Sequence, residues 1–167
     1  ITRKLLKENE DRLKELFDVK LNVNDETYTP DKILELSKDC DGILSAITDQ
    51  LNKDLISKLS PSIKIIANYA VGYGNIDINA AKEKNIVVTN TPEVLDDSTA
   101  DVSILLLLGA SRKVLEARRA AERQDWKWSA DFMLGKQMSN KRLGILGMGR
   151  IGRAVAKRAR GFNMEIH

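Results

Sequence analysis

Short apolar segments alternate with amphipathic segments along most of the chain. Two of them, GILSAI at 42–47 and IKIIANYA at 63–70, are apolar at nearly every position. Such continuous apolar character is typical of strands that are covered on both faces of a parallel sheet. The pattern predicts strands at 17–21, 42–47, 63–70, 86–90, 143–146 and 164–167. Strands that alternate with helices predict an α/β fold with a parallel sheet and right-handed crossovers.

Three amphipathic segments between these strands predict short helices. The first opens with Pro30, a residue that is favoured in the first turn of a helix. The second, at 49–59, carries leucine and isoleucine on one face. The third, at 75–85, begins with Asn75 and Asp77, and either side chain could cap the exposed N–H groups of the helix.

The longest predicted element is a helix over residues 98–123. Ser98 and Asp101 have the spacing of a capping box, so we expect the helix to begin at Ser98. Its first half is apolar on all sides, which predicts burial, and its second half is charged except at a few positions. We interpret this helix as a connector between two domains.

Gly147, Gly149 and Gly152 form the pattern G-x-G-x-x-G between a predicted strand and a predicted helix. In order, such glycines permit a tight turn, let the backbone approach a pyrophosphate, and allow close packing of helix on strand. The N–H groups at the helix start would hold the phosphates, and Arg150 could add a charge-assisted contact. The alternative is a glycine-rich turn that binds no ligand.

The dinucleotide-binding unit is expected to be incomplete. The acidic residue that binds the adenine ribose normally lies about 20 residues after the glycines. The chain has 15 residues after Gly152, so the end of the second strand lies at or beyond His167.

A second glycine-containing turn lies at 68–77, in NYAVGYGNID. Gly72 and Gly74 follow a predicted buried strand and precede a predicted helix. Free N–H groups at the carboxyl edge of a parallel sheet suit a small anion such as a carboxylate. The alternative is an ordinary strand-to-helix turn in which the glycines serve geometry alone.

Composition places the chain among globular proteins, since 43% of its residues are hydrophobic and 31% are charged. The longest apolar run, 104–108, is too short to cross a bilayer, and the N-terminal residues do not have the pattern of a signal peptide. The single cysteine, Cys40, fits a reducing, cytoplasmic setting. These features predict no membrane partner.

Charge is unevenly distributed, although the net charge is only +3. Residues 136–160 contain eight lysines or arginines and no acidic residue. This cluster is either a solvated surface or a local positive field for an anionic ligand such as a dinucleotide. No nucleic-acid-binding motif accompanies it, so we predict no nucleic-acid partner.

Three segments together carry a family resemblance: residues 68–108, the WKW at 126–128, and residues 143–162. They resemble the D-isomer-specific 2-hydroxyacid dehydrogenases, and within them the glyoxylate/hydroxypyruvate reductase branch. The resemblance covers nearly the whole chain and is strongest over 63–162. It implies a flavodoxin-like substrate domain at 1–98, with its first strand clipped. It also implies a connector helix and the beginning of a Rossmann dinucleotide-binding domain at 99–167.

The resemblance also implies roles for particular residues. The backbone N–H groups of Val71 and Gly72 would hold the substrate carboxylate, and Leu44 and Ser45 would line the same pocket. Thr99 would face the nicotinamide or cap its helix. The implied cofactor-binding residues are Thr99, Gly147, Met148, Gly149, Arg150, Ile151 and Gly152.

The implied reaction is reversible hydride transfer between NAD or NADP and the C2 atom of a small 2-keto acid, with glyoxylate or hydroxypyruvate preferred. In the family, a histidine, a glutamate and an arginine downstream of the glycine motif perform catalysis. No residue of this chain matches them, and His167, the single histidine, has no catalytic counterpart. We therefore expect an inactive fragment of a homodimeric enzyme. The alternative is a non-enzymatic dinucleotide-sensing module of the corepressor type.

Overall fold

The computed structural model describes residues 1–124 and 126–167. The chain divides into two compact units, Ile1–Pro92 and Glu93–His167. Both contain parallel strands joined through helices, which confirms the predicted α/β class. The predicted domain boundary between 98 and 99 lies inside a helix of the second unit.

The first unit is built on a three-stranded parallel sheet in the order β1-β2-β3. Gly42 of β1 lies opposite Ile65 of β2, and Ile65 lies opposite Val87 of β3. The elements in chain order are α1 (Lys7–Leu16), α2 (Pro30–Leu36), β1 (Gly42–Ala46), α3 (Lys53–Lys58), β2 (Ile65–Tyr69), α4 (Ile78–Glu83) and β3 (Val87–Thr89).

Polar side chains cap the starts of the three helices α2, α3 and α4. Thr29, Asn52 and Asp77 each accept a hydrogen bond from an N–H in the first turn of α2, α3 and α4, as expected for such residues at an N-cap. Alternate positions of β1 and β2 are buried, and the positions between them are partly or fully exposed. The cover on both faces that the apolar runs predict is therefore wrong. The core consists of Ile33, Ile43, Leu51, Leu55, Ile56, Leu59, Ile63, Ile66, Ile76, Ala80, Ala81 and Ile86.

The predicted strand at 17–21 is wrong. Helix α1 ends at Leu16, and residues 17–21 form no strand. Phe17 is exposed, and the backbone carbonyl of Lys20 accepts from the Ile1 ammonium group. A strand needs a ladder of such backbone bonds, and among the described residues outside α1 the Ile1 group is the only neighbour that supplies one to this run.

The second unit contains a pair of parallel strands joined through a helix. Its elements are α5 (Asp96–Ser111), α6 (Val114–Arg123), β4 (Arg142–Leu143), α7 (Arg150–Ala159), a 3₁₀ turn (Arg160–Phe162) and β5 (Glu165–Ile166). Helix α5 packs against α7, with Ala100, Ala156 and Ala159 buried. The strand predicted at 143–146 is shorter than expected and not buried, and Leu146 is fully exposed. Among the described residues, β4 and β5 form a sheet of two strands only.

The single long helix predicted over 98–123 is also wrong in three respects. It begins at Asp96, because the Ser98 hydroxyl donates to the Leu95 carbonyl instead of capping. It is interrupted at Lys113, whose φ of 54° is left-handed. Just before this break, the carbonyl of Ser111 accepts a hydrogen bond from the Lys136 N–H at 2.7 Å. Its apolar first half is not buried: the exposed side chains include Val102, Leu105 and Leu106.

Candidate functional site

The turn that follows β2 is held by its carbonyl groups. Three successive carbonyls each accept one hydrogen bond from elsewhere in the first unit. The bonds run from the Thr91 N–H to the Ala70 oxygen at 2.9 Å, from Asn90 Nδ2 to the Val71 oxygen at 2.8 Å, and from Asn68 Nδ2 to the Gly72 oxygen at 2.9 Å. Three consecutive peptide planes are therefore fixed from one side.

The three hydrogen-bonded carbonyls also determine the directions of the N–H groups in the same peptide planes. In a trans peptide the N–H of one residue points away from the carbonyl of the residue before it. The N–H groups of Val71, Gly72 and Tyr73 are thus directed away from the groups that hold the carbonyls. Within the described part of the chain, none of these three N–H groups donates a hydrogen bond. The turn presents free donors of the kind that bind a carboxylate.

Neither the backbone conformation nor the packing of the chain requires a glycine at position 72. Its φ is not in the left-handed region, and a Cβ built there meets no atom within 4 Å. The residue is also exposed. A glycine that serves neither backbone strain nor internal packing leaves space for a close approach from outside.

Leu44 and Ser45 lie on β1 beside this turn, but they face different surroundings. Leu44 is half-buried, and its carbonyl accepts from the Thr2 N–H at 3.0 Å. The Ser45 side chain is fully buried, and its hydroxyl donates to Asn68 Oδ1 at 3.1 Å. The structure thus directs the Ser45 hydroxyl at another side chain of the protein and away from solvent.

Sequence reasoning missed Asn68 and Asn90 and gave Asn75 only a capping role. Asn68 and Asn75 are buried and hydrogen-bonded to each other, and Asn90 holds the Val71 carbonyl. Asp77, and not Asn75, caps α4. The available signal was the asparagine within the apolar run IKIIANYA, because a buried amide needs partners and therefore indicates a specific polar contact.

The glycine turn before α7 has the geometry that its sequence predicts. Gly147 has a φ of +99°, which other residues rarely adopt. A Cβ on Gly152 would overlap the carbonyl oxygen of Gly147, so close packing of the helix on the turn requires glycine there. Gly149 is the N-cap residue, and a Cβ on it would meet no atom within 4 Å.

The start of α7 offers a second group of free donors. Gly149 supplies no side-chain cap, and the N–H groups of Arg150, Ile151 and Gly152 have no partner among the residues that the structure describes. These orphan N–H groups and the positive end of the helix dipole favour an anion. The open space above Gly149 and this donor set fit a pyrophosphate group.

Carboxylates of the same unit surround the basic side chains near this turn. The Arg150 guanidinium lies 3.4 Å from an Asp96 oxygen and 3.7 Å from a Glu93 oxygen. Arg158 contacts Asp101 and Asp97, and these hydrogen bonds raise the pKa of the Arg158 guanidinium. The basic cluster predicted at 136–160 is thus partly neutralised by the start of α5.

Thr99 and Met148 complete the residues expected near the cofactor. Thr99 lies half-buried in the first turn of α5, where its N–H donates to the Leu95 carbonyl. Because the helix begins three residues earlier, Thr99 is not its cap. Met148 is exposed in the glycine turn, and its carbonyl accepts from Arg153 at 3.1 Å.

No group of three or more histidine, cysteine, aspartate or glutamate side chains among the described residues could hold a metal ion. No described helix combines the length and the apolar character that crossing a membrane requires.

Comparison with known proteins finds matches over nearly the full chain. The sequence model of the family "D-isomer specific 2-hydroxyacid dehydrogenase, catalytic domain" matches residues 1–162. A glyoxylate reductase from Korarchaeum cryptofilum (strain OPF8) is 41% identical over 168 residues, which cover 99% of this chain and 50% of that protein. The chain thus spans about half the length of the curated relatives it matches.

Solved structures show the same relationship. The TT0316 protein from Thermus thermophilus superposes with a TM-score of 0.89 at 36% identity, covering 99% of this chain and 53% of that one. A glyoxylate reductase from Paecilomyes thermophila superposes with a TM-score of 0.82 at 34% identity, covering 99% of this chain and 52% of that one. The sequence match and the shared fold together show that the chain belongs to the D-isomer specific 2-hydroxyacid dehydrogenase family.

Proposed function

We propose that the chain is part of an oxidoreductase that transfers a hydride between NAD(P)H and a small 2-keto acid, forming a D-2-hydroxy acid. Glyoxylate or hydroxypyruvate is the preferred substrate. Relatives named glyoxylate reductase support this choice, and so does a glycerate dehydrogenase of Hyphomicrobium methylovorum that is 36% identical. Residues 1–98 form the substrate domain, and 99–167 begin the cofactor domain.

The observation that carries the proposal is the turn after β2. The free N–H groups of Val71 and Gly72 bind the substrate carboxylate, because the carbonyls of the same two peptide planes, those of Ala70 and Val71, are already held from the other side. Leu44 and Ser45 support this site from β1. A carboxylate that accepts two backbone N–H bonds is oriented as well as bound, which fixes the position of the adjacent keto carbon.

The turn before α7 holds the pyrophosphate of a nicotinamide dinucleotide, either NAD or NADP. The N–H groups at the helix start donate to the phosphates, and Gly149 leaves room for them. The residues that line this part of the cofactor are Thr99, Gly147, Met148, Gly149, Arg150, Ile151 and Gly152. When bound, the nicotinamide donates or accepts the hydride.

A proton donor and a carboxylate-binding arginine must act beside the hydride transfer. A histidine suits the first task because it titrates near neutrality, and an arginine suits the second because its fork matches a carboxylate. His167 is the single histidine of the chain, and it lies at the end of β5 with Glu165 3.1 Å away. By the family resemblance, neither His167 nor any arginine of this chain corresponds to these two catalytic residues. This chain alone is therefore expected to be inactive.

The whole protein is proposed to be a cytoplasmic homodimer. The exposed apolar side chains Val102, Leu105 and Leu106 recur on one face of α5, and such a face suits a contact between subunits. Cys40 is a free thiol, which fits a reducing compartment.

Binding to the purified chain tests the proposal. In ¹⁵N–¹H spectra, oxamate, a non-reducible analogue of a 2-keto acid, should shift the amide signals of Val71 and Gly72. NADH or NADPH should shift those of Arg150 and Ile151. Dinucleotide binding without any response to oxamate would favour the sensing module, and absence of both responses would contradict the proposal.

Catalysis is tested separately with the same polypeptide. We expect no loss of NADH or NADPH absorbance with glyoxylate above the rate without protein. Turnover by the purified chain would disprove the expectation that it is inactive alone.

A further inference from the structure

Asn68 is an amide buried inside a strand, and three of its contacts join different parts of the first unit. It is 2% exposed. Its Nδ2 donates to the Gly72 carbonyl at 2.9 Å and to Asn75 Oδ1 at 3.3 Å, while its Oδ1 accepts from Ser45 at 3.1 Å. The side chain therefore links β1, the end of β2 and the start of α4.

The partners of Asn68 are themselves fixed. Ser45 is fully buried on β1, where the strand pairing places it opposite Asn68. Asn75 donates to the Ala46 carbonyl at 3.2 Å, at the end of β1, and to the Asp49 carbonyl at 3.0 Å, in the loop that follows. The Asn68 amide is thus held in one orientation by groups from two neighbouring segments, and a held donor fixes its acceptor more strictly than a mobile one.

We infer that Asn68 is a positioning residue for the carboxylate-binding turn, with Ser45 and Asn75 setting its orientation. Asn68 holds the Gly72 carbonyl, so it fixes the peptide plane that carries the Tyr73 N–H. This plane meets the plane of the Gly72 N–H, which Asn90 holds, at the Cα of Gly72, so the two bonds together set the turn. Its side chain is buried and does not meet the substrate. This inference rests on the proposed function, because it assigns Asn68 a role at the same site.

A purely structural role for Asn68 makes a different prediction. If the amide served only to satisfy buried groups, its loss would lower stability and leave the affinity of the folded protein for a carboxylate unchanged. A positioning role also changes the affinity and the direction of the N–H bonds. The two roles are separated by measuring ligand affinity and N–H orientation in folded protein.

The experiment uses the full 167-residue chain with oxamate as the probe. The dissociation constant comes from amide shifts in ¹⁵N–¹H spectra, and residual dipolar couplings report the directions of the Gly72 and Tyr73 N–H bonds. Asn68→Leu removes both donors and keeps the branched shape and the number of side-chain heavy atoms. Ser45→Ala keeps Asn68 but removes the hydroxyl that orients it. Ile33→Ala, in the core at α2, is the control that lowers stability away from the turn.

We expect Asn68→Leu to raise the oxamate dissociation constant about tenfold and Ser45→Ala about threefold, as loss of one or two orienting hydrogen bonds implies. The Tyr73 coupling should change in both variants and stay constant in Ile33→Ala. If Asn68→Leu does not fold, Ser45→Ala decides.

Two results would overturn the inference, and they differ in meaning. Unchanged affinity and unchanged couplings in the folded variants, while the unaltered chain binds oxamate, would reduce Asn68 to a structural residue and leave the proposed function standing. Failure of the unaltered chain to bind oxamate at Val71 and Gly72 would remove the carboxylate site itself, and the role of Asn68 with it.

Discussion

The two glycine turns of this protein offer backbone donors by different means. After β2, side chains and a neighbouring N–H hold the carbonyls of residues 70–72, and the N–H groups are left free. Before α7, the free N–H groups are the unpaired donors that begin a helix. The first turn is thus set by its surroundings, whereas the second is set by its own helix.

The glycines differ in the same way. Gly147 and Gly152 are required by the chain itself, through a φ of +99° and through contact with the Gly147 carbonyl. Gly72 has neither constraint. Two similar glycine patterns therefore serve different physical purposes. Substitution of a glycine should lower stability in the turn before α7, but should weaken ligand binding in the turn after β2.

The largest effect is expected from Gly152→Ala. Its Cβ would overlap the carbonyl oxygen of Gly147, so the turn must open, at a cost of about 3 kcal/mol in the free energy of unfolding. Chemical denaturation followed by amide signals of 93–167 measures the loss. Gly149→Ala is the matched control, because its Cβ has free space and it should lose only the roughly 1 kcal/mol of a poorer N-cap. Equal stability of the two variants would contradict the close packing.

Gly147→Ala should have the next largest effect on stability. Alanine must adopt a φ near +99°, which is expected to cost about 2 kcal/mol. The same denaturation experiment applies, with Gly144→Ala as the control, since that glycine has neither a positive φ nor an atom within 4 Å of its Cβ. A Gly147→Ala chain as stable as its control would mean that the turn relaxes without strain.

Gly72→Ala should separate binding from stability. Nothing in the chain opposes the new methyl group, so the free energy of unfolding should change by less than about 1 kcal/mol. The methyl group occupies the approach to the free N–H groups, so oxamate affinity should fall about tenfold, or about 1.4 kcal/mol. Unaltered affinity, measured by amide shifts, would argue against this turn as the carboxylate site.

The smallest effect is expected in acid and concerns the first unit alone. Asp25 accepts from Arg3 at 2.8 and 2.9 Å and from the Lys4 N–H, and these bonds hold the pKa of the Asp25 carboxyl well below its usual range. A lowered folded-state pKa stabilises the protein above the unfolded value of about 3.9, and this contribution disappears as the pH falls towards the folded value.

Asp25→Asn should therefore lower the Tm of the first unit slightly at pH 7 and make it less dependent on pH between about 5 and 2. Thermal melts monitored through amide signals of 1–92 measure this. Asparagine tolerates the left-handed φ of 55° at this position, so the comparison isolates the charge. Identical pH profiles for the two chains would show that the ion pair is screened by solvent.

Much of the fold was readable from local patterns. The runs at 42–47, 63–70 and 86–90 contain the three strands of the first sheet, although the strands are buried at alternate positions and not on both faces as the apolar runs predict. The apolar run at 17–21 wrongly predicted a strand, because a strand also needs a neighbouring backbone to pair with, and the run itself does not specify one. The prediction of one continuous connector helix failed for a related reason. The helix is interrupted at Lys113, next to a hydrogen bond that Ser111 accepts from residue 136, far along the chain.

By itself, the sequence determined the family, the parallel α/β class and the positions of both glycine turns, because these depend on residue type and short spacing. It also placed Gly147 and Gly152 in roles that the backbone bears out. The tertiary structure alone showed which carbonyls are held and which N–H groups remain free. Asn68, Asn75 and Asn90 are separated along the chain from most of the groups they hold, and only folding brings a buried amide to the carbonyl it fixes.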